Sequence, residues 1–265
     1  YEQETAPFLA RLAESSAVFE RAMSTSSWTA PATASVFTSL YPHQHGVVQG
    51  FYAHREAMFE EERRGVARIP LNAIAEDLTT LPELFHAAGY ATFGVAANKN
   101  IDQELGFAQG FDRYYQRNDA PGEELYRKLR AWKRDIVGAR PYFLYVHLMD
   151  PHYPYSEISP HFERYRAGAG DDEKARYLSE IRDTDRWIER IYKLLRMDRN
   201  TLFVVVSDHG EEFGDHGSTQ HGPYLYDELQ RVLLMAHGPG VPPRRISANV
   251  SQVDVLPTLA EFAGA

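Results

Sequence analysis

Two rhythms of apolar residues alternate along this chain. Lys174–Met197 carries Tyr177, Ile181, Ile188, Ile191 and Leu195 at helical spacing, so one face of a long helix is apolar. Glu123–Ile136 repeats that amphipathic pattern. Thr5-Ala6-Pro7-Phe8 predicts a helix start, with Thr5 as cap and Pro7 tolerated in the first turn. Pro31–Leu40, Thr80–Ala88 (closed by Gly89) and Val255–Phe262 predict further helices. Between them, Ala17–Met23, Tyr90–Ala96, Tyr142–Leu148, Thr201–Val206 and Val232–Ala236 are short runs of strand length. Thr201–Val206 is continuously apolar, the kind of strand a parallel sheet buries on both faces. Gly46–Leu78 and Asp150–Gly170 lack either rhythm and read as an irregular insertion and a long loop rich in Pro, Tyr and His.

Strands alternating with helices, without a repeat, predict an α/β fold: a mostly parallel sheet with helices on both faces. Such sheets place their chemistry beyond the carboxyl ends of the strands. Two segments then matter most. Tyr142–Leu148 runs into Met149-Asp150-Pro151-His152, and Thr201–Val206 runs into Ser207-Asp208-His209-Gly210-Glu211-Glu212.

Composition narrows the choice. The 265 residues are 43% hydrophobic and 25% charged, enough for one large domain with a buried core. A formal net charge of −9 argues against a nucleic-acid partner. An anionic substrate would need local positive charge from a metal, His or Lys. The absence of cysteine excludes disulfides, thiolate metal sites and a cysteine nucleophile. No apolar run is long enough to span a bilayer, and there is no signal-peptide pattern. The chain opens on Tyr1 and directly into a helix signal, which reads as a fragment of a longer protein.

Asp208 beside His209, straight after a buried strand, offers oxygen and nitrogen donors to a divalent cation; a capping Asp with a surface His is the plain alternative. Both can serve one ion only where the backbone turns, which Gly210 permits. Thr29 precedes the helix Pro31–Leu40, where free N–H groups favour an anion, although threonine before x-Pro is also an ordinary N-cap. His152 and His221 lie beside turn residues at the presumed active edge. Glu211, Glu212 and His161 read as solvated loop, and His43 and His45 as structural.

These segments together resemble the sulfatase family of the alkaline phosphatase superfamily. Thr29-Ala-Pro-Ala-Thr-Ala-Ser-Val-Phe-Thr-Ser-Leu-Tyr-Pro-His-Gln-His-Gly46 is similar to its signature, with Thr29 on the nucleophile position and Tyr41-Pro42-His43 on the expected ending. Phe143–His152 looks like the strand leading to its substrate-binding histidine, and Val206–Gly217 like its metal-binding stretch. His221–Glu228 and Val253–Leu259 follow in the family's order.

The resemblance implies an alkaline phosphatase-like fold over residues 1–265, as one catalytic domain that lacks the family's first metal-binding strand and C-terminal subdomain. It implies hydrolysis or transfer at a sulfate or phosphate ester, and one divalent ion (zinc, manganese or calcium) held by Asp208, His209 and Thr29. His152 and His221 would contact non-bridging oxygens or protonate the leaving group, and the aromatic loop Tyr153–Tyr165 would shape the pocket. The implied substrate is a small-molecule, glycan or lipid-headgroup anionic ester.

Three departures qualify this. Threonine cannot become formylglycine, so none is expected. Thr33 replaces the signature arginine. Ala97-Asn98-Lys99-Asn100 stands where the family has Lys-x-His, leaving Lys99 as the one candidate substitute. Thr29 with Asp208-His209 resembles the arrangement of the phosphoethanolamine transferases, lipoteichoic acid synthases and nucleotide phosphodiesterases of the superfamily. The overall pattern of motifs favours the sulfatase branch, and the two stay open. A catalytically silent binding module with the same fold is the remaining alternative.

Overall fold

The computed structural model describes residues 5–64, 72–139 and 141–264. In chain order the elements are α1 (Pro7–Ala13), β1 (Ala17–Met23), α2 (Thr29–Thr38), α3 (Pro42–His45), α4 (Phe51–Arg64), α5 (Leu81–Ala87), β2 (Ala91–Ala96), β3 (Arg113–Gln116), α6 (Gly122–Gly138), β4 (Tyr142–His147), α7 (His161–Ala169), α8 (Asp172–Leu195), β5 (Phe203–Val206), β6 (Glu212–Phe213), β7 (Thr219–Gln220), α9 (Asp227–Gln230), β8 (Arg231–Val232), β9 (Leu234–His237), β10 (Arg244–Ser251) and α10 (Val255–Ala263).

The strands form two principal sheets. One is ordered β3-β2-β4 and is parallel throughout. The other is ordered β10-β1-β9-β5, with β8 also paired to β1; β10 runs parallel to β1, and β9 antiparallel to both β1 and β5. The expectation of a parallel β5 buried on both faces is therefore corrected. A continuous apolar run reports burial, not direction, and β5 pairs with β9 in antiparallel register.

Successive residues of the strands face two different cores, as the period of two requires. Leu144 and Val146 of β4, Phe203 and Val205 of β5 and Met235 of β9 pack with α1, α6 and α8. Tyr145, Val204, Val206 and Leu234 pack on the other side with α2 and α10. Both sheets thus share one central layer between two helical layers, the α/β arrangement the alternation predicts. Among the described residues β4 pairs only with β2, and β5 only with β9. A cavity of about 990 Å³ runs between their unpaired edges, lined by Tyr142–Asp150 of one and Leu202–Glu211 of the other.

Local signals explain most boundaries. Thr80 and Glu83 form a capping box on α5. Thr5, predicted to cap α1, does not: the cap position is Ala6, with no side-chain bond. The carboxylate of Asp185 in α8 instead accepts from Phe8 N and Leu9 N, both at 2.9 Å. Two further expectations are corrected. The stretch 46–78 contains α4 (its residues 65–71 lie outside the described residues), and the stretch 150–170 contains α7. Neither helix carries a broad apolar stripe, which is why periodicity missed them.

Candidate active site

The carboxyl ends of β4 and β5 meet the amino end of α2 at the mouth of the cavity. All ten residues of α2 are buried, and the helix begins at Thr29, which is 4% exposed. Thr29 is not an N-cap: that position belongs to Trp28, which makes no capping bond. The Thr29 hydroxyl turns to the site instead. Its Oγ1 lies 3.5 Å from His209 Nε2, accepts from Asn98 Nδ2 at 3.3 Å and hydrogen-bonds the Asp208 carboxylate.

Asp208 follows β5 after the single residue Ser207. Its carbonyl accepts from Ser24 Oγ and Gln252 Nε2, each at 2.6 Å, so the segment is tied to β1 and to the turn before α10. Its carboxylate Oδ2 sits 3.6 Å from His209 Nε2 and 3.9 Å from His147 Nε2, and is 26% exposed. Burial pushes this carboxyl up, but His209, His147 and the Thr29 hydroxyl outweigh burial and hold it well below the usual carboxylate range.

Gly210 explains how neighbouring side chains converge. A Cβ there would meet the Glu228 carbonyl oxygen at 1.9 Å, and Gly210 N donates to Leu229 O at 2.7 Å. Glycine is required for this close approach to α9, rather than for a left-handed turn.

Three imidazoles line up beside this point. The His209 and His221 rings are 4.2 Å apart, and those of His221 and His152 5.1 Å. Each ring is anchored through Nδ1: His209 to Gly210 O at 2.8 Å, His221 to Glu211 Oε1 at 2.9 Å, His152 to Tyr153 O at 2.6 Å. Carbonyl and carboxylate oxygens only accept, so Nδ1 carries a proton in each ring and Nε2 is left for a ligand or a transferable proton. Burial, with His221 nearby, pushes His152 below the ordinary histidine range.

The predicted residues Thr29, His152, Asp208, His209 and His221 thus come together at one end of the cavity. Glu211 and Glu212, read as solvated, are 5% and 1% exposed; Glu211 orients His221, and this corrects the expectation. Two contributors were missed. His147 ends β4, and its rank as last residue of a parallel strand was the available signal. Asn98 reaches Thr29, whereas neighbouring Lys99, the candidate singled out, stacks its ammonium 3.7 Å from the Tyr52 ring. Thr33, at the arginine position, hydrogen-bonds Tyr145.

The expectation that the aromatic loop shapes the pocket is corrected: no residue of Tyr153–Tyr165 lines the cavity. Tyr155 packs on Tyr177 and Phe213, and Tyr165 is buried with Phe162, Ala175 and Leu178. His45 is structural as expected: Ser35 Oγ and Val47 N bond its two nitrogens, and burial lowers it to about 4.

The family model described as Sulfatase matches residues 1–265. The chain belongs to the sulfatase family. It is 30% identical over 133 residues to the choline-sulfatase of Rhizobium meliloti, covering 48% of this chain and 25% of that protein. It is 21% identical over 248 residues to lipoteichoic acid synthase 2 of Bacillus subtilis, covering 84% of this chain and 38% of that protein. Among solved structures, the phosphonate monoester hydrolase from Silicibacter pomeroyi superimposes with a TM-score of 0.74 at 17% identity, over 98% of this chain and 68% of that one. The fold is accordingly that of the alkaline phosphatase superfamily. The chain spans less than half the length of the curated relatives it matches.

Proposed function

We propose that this sulfatase-family domain is a metal-dependent hydrolase or transferase of anionic esters, with Thr29 as the nucleophile. The observation that carries this reading is the environment of the Thr29 hydroxyl. It is buried at the head of a helix, caps nothing, and is in contact with Asp208, His209 and Asn98.

His209 Nε2 lies 3.5 Å from the Thr29 hydroxyl and 3.6 Å from the Asp208 carboxylate, and that carboxylate is held ionised. That donor set fits one divalent cation of the zinc, manganese or calcium class. When bound, such an ion would stabilise charge on the ester's non-bridging oxygens and favour the ionised threonine. We further propose that an extended segment bearing acidic side chains fills the slot between the unpaired edges of β4 and β5, completing both the sheet and the ligand set.

In the first half-reaction Thr29 Oγ1 bonds to the central atom of the ester while the bond to the leaving oxygen breaks. The hydroxyl proton passes to solvent, and His152 or His221, after taking up a solvent proton on Nε2, delivers it to the leaving oxygen. In the second, water or an acceptor alcohol attacks the same atom and the Thr29 oxygen departs, taking up a proton.

Threonine tilts the chemistry toward phosphorus. A formylglycine hydrate sheds sulfate by eliminating from its second hydroxyl, and threonine has none. A phospho-threonine is opened by attack at phosphorus. The similarity to lipoteichoic acid synthase 2 supports extending the reading to transfer onto an alcohol, with glycan or lipid-headgroup esters as the substrate class.

A panel of aryl sulfate, phosphate monoester, phosphodiester and phosphonate ester, run on the intact protein with each metal, tests the proposal. Turnover of the phosphorus esters over aryl sulfate is expected. Preferred turnover of aryl sulfate would contradict the phosphorus assignment. No turnover, with no divalent ion bound, would favour a silent binding module.

A further inference from the structure

A second group of metal-capable side chains lies in the segment that follows Asp208-His209. Glu212 opens β6, His216 stands between β6 and β7, and Glu228 comes from α9; one donor atom of each lies within 4.8 Å of the others. His216 Nδ1 is 2.6 Å from Glu228 Oε1 and 3.8 Å from Glu212 Oε1. Nitrogen and oxygen donors about 2.0–2.2 Å from one tetrahedral ion stand roughly 3.3–3.6 Å apart, so small side-chain adjustments suffice.

The decisive observation concerns Glu212. Its side chain is 1% exposed. Oε1 accepts from His216 N at 3.0 Å and Ser218 N at 3.4 Å, whereas Oε2 is buried without a hydrogen-bond partner. Buried acceptors in folded proteins are paired, and an orphan of this kind asks for an explanation. A His216–Glu228 ion pair alone leaves it unanswered; a cation bound by all three residues answers it. The His216 ring is already fixed, stacked 3.7 Å from the Tyr226 ring at an interplanar angle of 8°. His216 is 41% exposed and Glu228 26%, so water has access to a fourth coordination position.

We propose that Glu212, His216 and Glu228 bind a divalent cation of the zinc class, by donors distinct from those of the Thr29 site. One imidazole with two carboxylates suits borderline ions. The site clamps the β6–β7 hairpin to α9, against which Gly210 is already packed, and so braces the segment that carries Asp208, His209 and Glu211. Its role is structural, because none of its three residues touches Thr29.

The test uses the intact Asp208→Asn protein as parent, so that the inference does not depend on the Thr29-site metal. Zinc is measured by equilibrium dialysis and by its effect on Tm. The parent is predicted to bind one equivalent and to gain Tm on adding zinc; a Glu228→Gln change in that background weakens binding at least about tenfold and removes the Tm gain. The partly exposed His216, changed to Gln, gives a second variant with the same expected result. No zinc bound by the parent, or equal affinity with and without Glu228 and His216, overturns the proposal. Wild-type protein binding a single equivalent that Asp208→Asn removes would overturn this site and leave the Thr29 site standing; a single equivalent removed only by Glu228→Gln would do the reverse.

Discussion

Helices α2 and α8 divide the work of this domain. α8 is amphipathic, caps its own start through Asp171, whose side chain accepts from Glu173 N, and lends Asp185 to cap α1. α2 is buried on every side, has no capping bond, and directs its first hydroxyl into the site. One helix satisfies its polar groups for the sake of the fold. The other leaves its leading hydroxyl free of backbone duties, which is what a nucleophile requires. The contrast teaches that local rules of helix stability hold where structure is the purpose and lapse where chemistry is.

Substitutions can break this division. The largest effect is expected for Thr29→Ala. Turnover should fall by about 10⁴-fold or more, as when a nucleophile is removed, because the covalent route is lost. Unfolding free energy should fall by no more than about 2–3 kcal/mol, since the hydroxyl's hydrogen bonds and one buried methyl disappear. Steady-state kinetics and urea denaturation measure the two; retained turnover would erase the distinction between the helices.

Asp185→Ala is the converse on α8. It leaves Phe8 N and Leu9 N without acceptors, and a loss of about 2–4 kcal/mol in unfolding free energy is expected. Turnover of the folded protein should be unchanged.

Glu180, also on α8, sharpens the comparison through pH. It is 3% exposed, and burial raises its carboxyl to about 7. The folded state therefore binds this proton more tightly than the unfolded chain. Its contribution is complete below the ordinary glutamate value and is lost as pH rises through about 7. Glu180→Gln should flatten the fall in stability across that window by about 2–3 kcal/mol, read from urea midpoints at pH 4.5 and 8.

The smallest effect is the loss of the α8 cap. Asp171→Ala should cost about 1 kcal/mol, seen as a small drop in Tm with turnover untouched.

The same contrast governs what could be read from sequence. α6, α8 and the strands β1, β2, β4, β5 and β9 follow from apolar spacing, because each presents a face to one of the two cores. β3 and the largely exposed, polar β10 were not read from it. α4 was invisible: Phe51 and His54 face inward, whereas Tyr52, Arg55, Glu56, Met58, Phe59 and Arg63 are exposed, leaving no stripe to count. The direction of β5 was equally hidden, since an apolar run is the same in either orientation. Within the site, Thr29, Asp208, His209, His152 and His221 were legible as a motif at strand ends. His147 and Asn98 were not, because their meaning arises only when β4, the turn after β2, and α2 meet. Glu211 and Glu212 look like any acidic pair in sequence; their burial is set by partners in distant segments, His221 for the one and the β6–β7 turn for the other.

The claim that Thr29 forms the covalent link is tested most directly by trapping it. The intact protein, loaded with divalent metal and turning over a phosphodiester, is acid-quenched and its peptides are analysed by mass spectrometry. The account predicts one phosphoryl group on the peptide containing Thr29, absent from Thr29→Ala. Steady turnover with Thr29 never modified, and undiminished in Thr29→Ala, would contradict it.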